Sequence, residues 1–238
     1  PLLQTAQWMS NYYIAHLALV LQTILPSGLT KKRRILSSNS TAATRRDRTH
    51  FVLNKDQSAA IDNLLNAKSG TVILHGVTGS GKTAVYIEYA KRLIATGKSV
   101  IVIVPEIALT AQLIAEFQHS FPNLITTHSQ QTEAQRHHAW LQALNASQPN
   151  IVIGPRSALF MPFNNIGAII IDEAHEPALK QDQTPRYSAL RTAAILARYH
   201  HATVIQGSAT PLVSEYYLAA KTSRPIINLP ARANPNII

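Results

Sequence analysis

The 238-residue sequence predicts an α/β fold, built as a doubly wound parallel sheet with helices on both faces. Three observations support this prediction. Short apolar runs alternate with longer stretches of helical periodicity, as in strands joined by right-handed crossovers. The runs are apolar on both faces, which is typical of strands buried in a parallel sheet. A glycine-rich loop also stands between the first run and the helix that follows it, at 76–83.

The elements can be assigned in order from these patterns. Apolar runs predict strands at 71–75, 100–104, 124–128, 151–154, 167–172 and 203–207. Helical periodicity predicts helices at 82–95, 109–120, 133–144 and 188–200. We expect one domain over 51–224, preceded by a short N-terminal helical appendage at 1–30 and a basic, flexible linker at 31–50. The proline-containing stretch 225–238 is predicted to be a linker that leaves the domain.

The glycine-rich loop has the pattern of a phosphate-binding site, G-x-x-x-x-G-K-T. It consists of Gly76, Val77, Thr78, Gly79, Ser80, Gly81, Lys82 and Thr83. Between a strand and a helix, such a loop directs backbone N–H groups at phosphate oxygens near a helix N-terminus. Lys82 would reach the β- and γ-phosphates, and the Thr83 hydroxyl would bind Mg²⁺. We therefore expect a nucleoside triphosphate site; the flanking elements disfavour a glycine turn that binds nothing.

Two acidic residues, Asp172 and Glu173, end the apolar run that starts at Ala168. The carboxyl end of a strand in an open α/β sheet is where ligands bind. Asp172 is predicted to hold Mg²⁺ through water, and Glu173 to orient and deprotonate an attacking water. Together with Lys82, they form the predicted catalytic set. Alone, such a pair could equally begin a helix, where the macrodipole stabilises carboxylates.

The last predicted strand, at 203–207, runs into the small-residue loop Ser208-Ala209-Thr210-Pro211, which by itself could simply start a helix. The order GxxxxGKT, then DEAH at 172–175, then GSAT at 207–210 resembles the motif series of superfamily 2 helicases and translocases. The resemblance implies a P-loop NTPase with a RecA-like sheet. It also implies that His175, Ser208 and Thr210 couple the γ-phosphate state to DNA-binding loops.

Five further segments resemble the primosomal protein N′ (PriA) family of replication-restart helicases. These segments are 104–112, 127–129, 153–160, 180–181 and 185–187. Gln57 matches the family's adenine-reading glutamine. Leu179 stands where the family pattern has an aromatic residue, and 189–191 also departs from that pattern. Residues 1–30 resemble the last helix of the family's N-terminal DNA-binding domain. The alternative for 4–21 is an amphipathic helix that docks on the motor domain.

The resemblance implies the first motor lobe of a 3′→5′ DNA helicase, using ATP and Mg²⁺ on single-stranded or forked DNA together with replication-restart proteins. The predicted DNA contacts are Pro105, Glu106, Gly154, Arg156 and Ser157; for Arg156 a structural ion pair is the alternative. Because the second lobe carries the arginine finger, this chain is expected to turn ATP over slowly alone. An RNA helicase or restriction-type translocase lobe, and an ATP-gated DNA-binding module that does not cycle, remain alternatives.

Composition narrows the class of protein. The formal net charge is +10, and 31–50 holds seven Lys and Arg against one Asp, which gives 7 − 1 = +6 there and +4 elsewhere. That segment is either a solvated hinge or a tether to nucleic-acid phosphates. Without cysteine, the chain can form neither a disulfide nor a thiolate zinc site. No apolar stretch reaches the length of a membrane span, so we expect a cytoplasmic enzyme.

Overall fold

The computed structural model describes residues 1–27, 52–67 and 69–233. Their centre is a parallel sheet of seven strands in the order β3-β4-β2-β5-β6-β1-β7. The strands are β1 (Gly70–Gly76), β2 (Ser99–Ile103), β3 (Ile125–Thr126), β4 (Ile151–Gly154), β5 (Ile166–Ile171), β6 (Thr203–Ser208) and β7 (Ile226–Leu229). The predicted α/β, doubly wound parallel sheet is confirmed.

Eight α-helices accompany the sheet in the described part of the chain. They are α1 (Leu2–Tyr12), α2 (Leu17–Ile24), α3 (Lys55–Asn66), α4 (Lys82–Ala95), α5 (Ala111–Ser120), α6 (Glu133–Leu144), α7 (Ala189–His200) and α8 (Val213–Thr222). Short 3₁₀ helices lie at Glu106–Ala108, Arg156–Phe160 and Pro177–Leu179. None of the helices among these described residues is long and apolar enough to cross a bilayer.

Alternation along the strands divides the core between the two faces of the sheet. In β2, Ile101 and Ile103 point to the face covered by α1, α2, α6 and α7. Val100 and Val102 point to the opposite face, covered by α3, α4 and α5. Successive strand residues face opposite sides, so a strand apolar throughout can serve both cores. This explains why the sequence runs carry no polar alternation.

The N-terminal appendage consists of two helices that dock on the sheet domain. Between α1 and α2 the chain turns at Ile14, which has a φ of 50° and is 94% exposed. Ala6 and Met9 of α1 are buried in the same core cluster as α7. The structure thus shows the docking that we considered for 4–21, in two helices instead of one. The predicted basic linker at 31–50 lies outside the described residues.

The predicted linker at 225–238 is wrong for residues 226–229. Residues 226–229 form β7, which pairs in parallel with β1 at the edge of the sheet. Ile227 and Leu229 are buried in the core against α3, whereas Ile226 and Asn228 are exposed. A strand of four residues is too short to reveal itself by periodicity, and α8 before it was not predicted either. The predicted strand at 124–128 is likewise shorter, because only Ile125 and Thr126 pair with β4.

Candidate functional site

A cleft of about 510 Å³ opens at the carboxyl ends of β1 and β5, which lie on either side of β6. Its volume is typical of small-molecule sites. The predicted residues that line it are Gln57, Thr78, Gly79, Ser80, Gly81, Lys82, Thr83, Asp172 and Glu173. The structure thus brings together the glycine-rich loop and the acidic pair, which are far apart in the sequence. Gly76 and Val77, at the start of the loop, are not among the lining residues.

The loop after β1 depends on backbone conformations that favour glycine. Gly79 and Gly81 have φ values of 78° and 79°, in the left-handed region. At Gly76, a Cβ atom would lie 2.5 Å from the Ser80 Oγ. The Lys82 Nζ donates a hydrogen bond to the Gly76 carbonyl oxygen over 2.9 Å, so the lysine folds back over its own loop.

One buried polar atom in the loop has no partner within the described residues, the hydroxyl of Ser80. A buried hydroxyl without a hydrogen bond carries a free-energy cost unless a ligand or water contacts it. Together with the backbone N–H groups of the loop and the Lys82 ammonium, it suits a polyanionic ligand. The residues present therefore fit the phosphate chain that the sequence motif predicts.

Gln57 joins α3 to the loop. Its Oε1 accepts a hydrogen bond from the Asn54 N–H (3.0 Å), and Asn54 Oδ1 accepts one from the Gln57 N–H (2.8 Å), so the pair forms a capping box for α3. The Gln57 Nε2 donates to the Ser80 carbonyl oxygen over 2.9 Å. An amide can donate two hydrogen bonds and accept two, so one donor and one acceptor position remain for a base. Gln57 thus retains the capacity for its predicted adenine contact.

The segment after β7 also reaches the loop, which the sequence did not indicate. The Ala233 N–H donates to the Gly79 carbonyl oxygen over 2.8 Å, and the Val77 N–H donates to the Leu229 carbonyl oxygen over 3.3 Å. Ala233 lines the cleft. These are backbone hydrogen bonds, so the side-chain pattern carries no signal for them.

Asp172 and Glu173 are held by the backbone of neighbouring strands. The Asp172 N–H donates to the Ile103 carbonyl oxygen and the Ala174 N–H to the Gly207 carbonyl oxygen, each over 2.9 Å. Glu173 adopts a φ of 45°. This left-handed conformation costs about 1–2 kcal/mol for a residue other than glycine, and such strain is found mainly at functional sites.

The electrostatics of the acidic pair reflect its partly buried position. Burial and the neighbouring Glu173 carboxylate raise the pKa of Asp172, while the hydrogen bond from Tyr86 and the nearby Lys82 ammonium act in the opposite direction. A cation in the cleft would relieve the repulsion between the two carboxylates. The Thr83 hydroxyl and the Asp172 carboxylate offer the oxygen ligands that Mg²⁺ prefers.

The predicted coupling residues also meet. The Ser208 Oγ lies 2.9 Å from the His175 Nδ1 and accepts a hydrogen bond from the Thr210 N–H over 2.9 Å. The same His175 Nδ1 lies 3.5 Å from the Glu173 Oε2. A chain of polar contacts therefore runs from the acidic pair to the end of β6. Its role in coupling stays a prediction.

The predicted DNA contacts lie in more varied surroundings. Glu106 and Ser157 are exposed, whereas Pro105 and Gly154 are buried. At Gly154 a Cβ atom would lie 2.7 Å from the Thr127 carbonyl oxygen, so the structure gives this glycine a packing role. Glu106 Oε1 accepts a hydrogen bond from the Ser129 N–H over 3.0 Å.

Arg156 is engaged by the loop that follows the acidic pair. Its Nη1 donates to the carbonyl oxygens of Ala178 (2.6 Å) and Lys180 (3.3 Å). Among the described residues, Arg156 makes these backbone hydrogen bonds and no ion pair. Its contact with DNA phosphate stays a prediction.

Comparisons with known proteins agree with the nucleotide site that the geometry of the cleft indicates. The sequence model of the family described as DEAD/DEAH box helicase matches residues 54–217. The chain is similar to proteins called "Replication restart protein PriA" from Haemophilus influenzae (44% identity over 163 residues), Bacillus subtilis (40% over 167) and Treponema pallidum (37% over 218). The matches cover 68%, 70% and 90% of this chain. They confirm the predicted resemblance.

The same matches cover only 22%, 21% and 33% of the three relatives, so the chain spans a fifth to a third of their length. Among solved structures, RecG bound to a three-way DNA junction is similar with a TM-score of 0.56 and 22% identity, covering 80% of this chain and 25% of that chain. MrfA bound to DNA and AMPPNP is similar with a TM-score of 0.55 and 18% identity, covering 77% and 27%.

At these identities the two structures show that the fold is shared, and no more. The family match is of a different kind, because it spans most of the chain and includes all the residues from Gln57 to Thr210 that we predicted for the site. The chain belongs to the DEAD/DEAH box helicase family.

Proposed function

We propose that this chain is the ATP-binding motor lobe of a DNA helicase that acts in replication restart. One observation carries the proposal: the glycine-rich loop and the Asp172–Glu173 pair line a single cleft. Family membership implies the use of ATP, and the relatives named replication restart proteins support the biological process. Because those relatives are much longer, the activity of the whole protein is part of the proposal.

ATP binding would use the loop, the start of α4 and Gln57 of α3. Backbone N–H groups at the start of α4 would hold the phosphates, and Lys82 would exchange its hydrogen bond with Gly76 for phosphate oxygens. Gln57 would contact adenine through its remaining donor and acceptor positions. Thr83 and Asp172 would hold Mg²⁺, which when bound offsets the negative charge of the β- and γ-phosphates.

Hydrolysis requires a base beside the bound phosphates. Glu173 lines the cleft next to Asp172 and would take the proton of the attacking water. Its Oε2 lies 3.5 Å from the His175 Nδ1, and the contact of His175 with Ser208 would report the γ-phosphate state to the end of β6. Exposed residues at the same end of the sheet, Glu106 and Ser157, together with Arg156 would contribute to the contact with DNA.

The proposed partners are single-stranded or forked DNA and other replication-restart proteins. The PriA relatives favour this proposal over an RNA helicase or a restriction-type translocase. The cytoplasmic location expected from the sequence stays a prediction.

Two substitutions test the proposal. Lys82→Ala should weaken ATP binding by roughly 10- to 100-fold, because a charge-assisted hydrogen bond is lost. Glu173→Gln should keep ATP binding and lower the hydrolysis rate by about 10²–10⁴-fold. Calorimetry with ATP and Mg²⁺ and a phosphate-release assay measure the two effects. Lys91→Ala is the control, since Lys91 is an exposed lysine on the same helix.

Each alternative has its own outcome in these assays. Unchanged ATP affinity in Lys82→Ala would contradict the site itself. Equal residual hydrolysis in the wild-type chain and in Glu173→Gln, with ATP and DNA still bound, would instead indicate an ATP-gated module that does not cycle. Stimulation of turnover by RNA and not by DNA would favour an RNA helicase.

A further inference from the structure

Tyr86 has no role in the motifs discussed so far, yet it contacts one of the acidic residues. It lies one turn after Lys82 on α4, and its side chain is 1% exposed. Its hydroxyl donates a hydrogen bond to the Asp172 Oδ1 over 3.0 Å. Asp172 lines the cleft, whereas Tyr86 is not among the residues that do. The phenol therefore reaches the carboxylate from inside the domain.

The position of the Tyr86 hydroxyl is fixed by Gly207 in β6. A Cβ atom at residue 207 would collide with this hydroxyl, so the close approach requires a glycine. The Gly207 carbonyl oxygen in turn accepts the hydrogen bond from the Ala174 N–H. One buried phenol thus contacts both the strand end that carries the acids and the strand that carries Ser208.

We propose that Tyr86 is a positioning residue that holds the Asp172 carboxylate for Mg²⁺ in the cleft, an inference that rests on the proposed function. A carboxylate with one oxygen hydrogen-bonded to a rigid, buried donor loses most of its rotational freedom before the cation arrives. Groups that orient a metal ligand in this way commonly contribute 10- to 100-fold to metal affinity. Tyr86 acts through Asp172 and touches no substrate.

The same helix supplies a matched comparison. Tyr89, 2% exposed, lies one turn further along α4, with its hydroxyl near Thr203. Thr203 begins β6, whereas Ser208 ends it beside the cleft. Tyr86→Phe and Tyr89→Phe therefore remove the same atom from equally buried sites, one at each end of the same strand. Only the first should affect the cation.

The experiment measures ATP binding to the purified chain by calorimetry, with Mg²⁺ and with EDTA, and titrates Mg²⁺ at saturating ATP. Tyr86→Phe should weaken Mg²⁺ binding to the ATP complex by about 10- to 100-fold and leave metal-free ATP affinity unchanged. Tyr89→Phe should leave both values at those of the wild type. Thermal unfolding without ligand checks that both variants are folded.

Three results would overturn the inference. The first is an unchanged Mg²⁺ affinity in Tyr86→Phe, and the second is an equal loss of Mg²⁺ affinity in Tyr89→Phe. The third is a loss of ATP affinity in Tyr86→Phe that is equal with and without Mg²⁺, which would place the effect in the glycine-rich loop. A wild-type chain that does not bind ATP, or binds it no better with Mg²⁺, would contradict the proposed function as well.

Discussion

Gln57 uses its side-chain amide for two purposes, one in α3 and one in the glycine-rich loop. The chain holds a second capping box at α6, formed by Thr132 and Gln135, that touches no part of the cleft. The resemblance indicated Gln57 as a nucleotide contact, but only the structure shows its hydrogen bond to Ser80. A substitution of each glutamine separates the two purposes.

We expect Gln57→Ala and Gln135→Ala each to lower the free energy of unfolding by about 0.5–2 kcal/mol, since each removes half of a capping box. Only Gln57→Ala should also weaken ATP binding, because the Ser80 carbonyl loses its donor. Urea denaturation and calorimetry measure the two effects. Equal ATP affinity in both variants would show that Gln57 serves the helix alone.

Gly154, a predicted DNA contact, lies in a tightly packed position, buried beneath Thr127. Its contact with DNA stays a prediction. Gly154→Ala should lower the free energy of unfolding by about 1–3 kcal/mol, because the added methyl group overpacks the site. Ser157→Ala, at an exposed neighbour, should stay within about 0.5 kcal/mol of the wild type. Normal stability in Gly154→Ala with weaker DNA binding would restore the predicted contact.

At the scale of elements, the loop between the 3₁₀ helix Pro177–Leu179 and α7 is held from two sides. Its base closes through a β-bridge between Lys180 and Ser188. Arg156 holds one side through the carbonyl oxygens already described. On the other side, the Tyr13 hydroxyl accepts a hydrogen bond from the Ser188 N–H over 3.0 Å, and the Lys180 Nζ lies 5.4 Å from the Tyr13 ring. The N-terminal appendage thus contacts the segment that directly follows the DEAH sequence.

This contact is testable with neighbouring tyrosines. Tyr13→Phe should lower the free energy of unfolding by about 1 kcal/mol, because the Ser188 N–H loses its acceptor. Tyr12→Phe is the control: Tyr12 is 48% exposed and keeps its ring stacked on Trp8. Urea denaturation measures both. If Tyr12→Phe costs as much as Tyr13→Phe, the stabilisation comes from the aromatic cluster in general and the loop contact is unimportant.

Leu179 shows why a departure from a family pattern needs a structure to interpret it. The residue stands where an aromatic side chain was expected, and it is 3% exposed in the core cluster that also holds Phe160 and Tyr187. A leucine at this position fills the space beneath the loop. Sequence comparison detects the change of residue type, but whether the side chain faces solvent or core depends on how the loop folds back on α7.

For the whole molecule, the proposed function predicts binding without fast turnover. No arginine lines the cleft among the described residues, whereas an arginine finger beside the transferred phosphate contributes about 10³–10⁵ in rate. We expect this chain to bind ATP and to hydrolyse it that much more slowly than a helicase whose cleft holds such an arginine, with or without single-stranded DNA. A phosphate-release assay over a range of DNA concentrations measures this. DNA-stimulated turnover on the order of 10 s⁻¹ would contradict the prediction.

The sequence by itself determined the fold class and the positions of the glycine-rich loop and the acidic pair. Each of these is local: a continuous apolar run, a strand–loop–helix pattern, or two carboxylates at a strand end carries its own signal. Tertiary structure alone decided that β7 joins the sheet and that α1 docks on α7. It also decided the hydrogen bonds of Ala233 to Gly79 and of Tyr86 to Asp172. These contacts join residues distant along the chain, and a buried hydroxyl or a backbone N–H leaves no periodic trace by which a linear pattern could identify its partner.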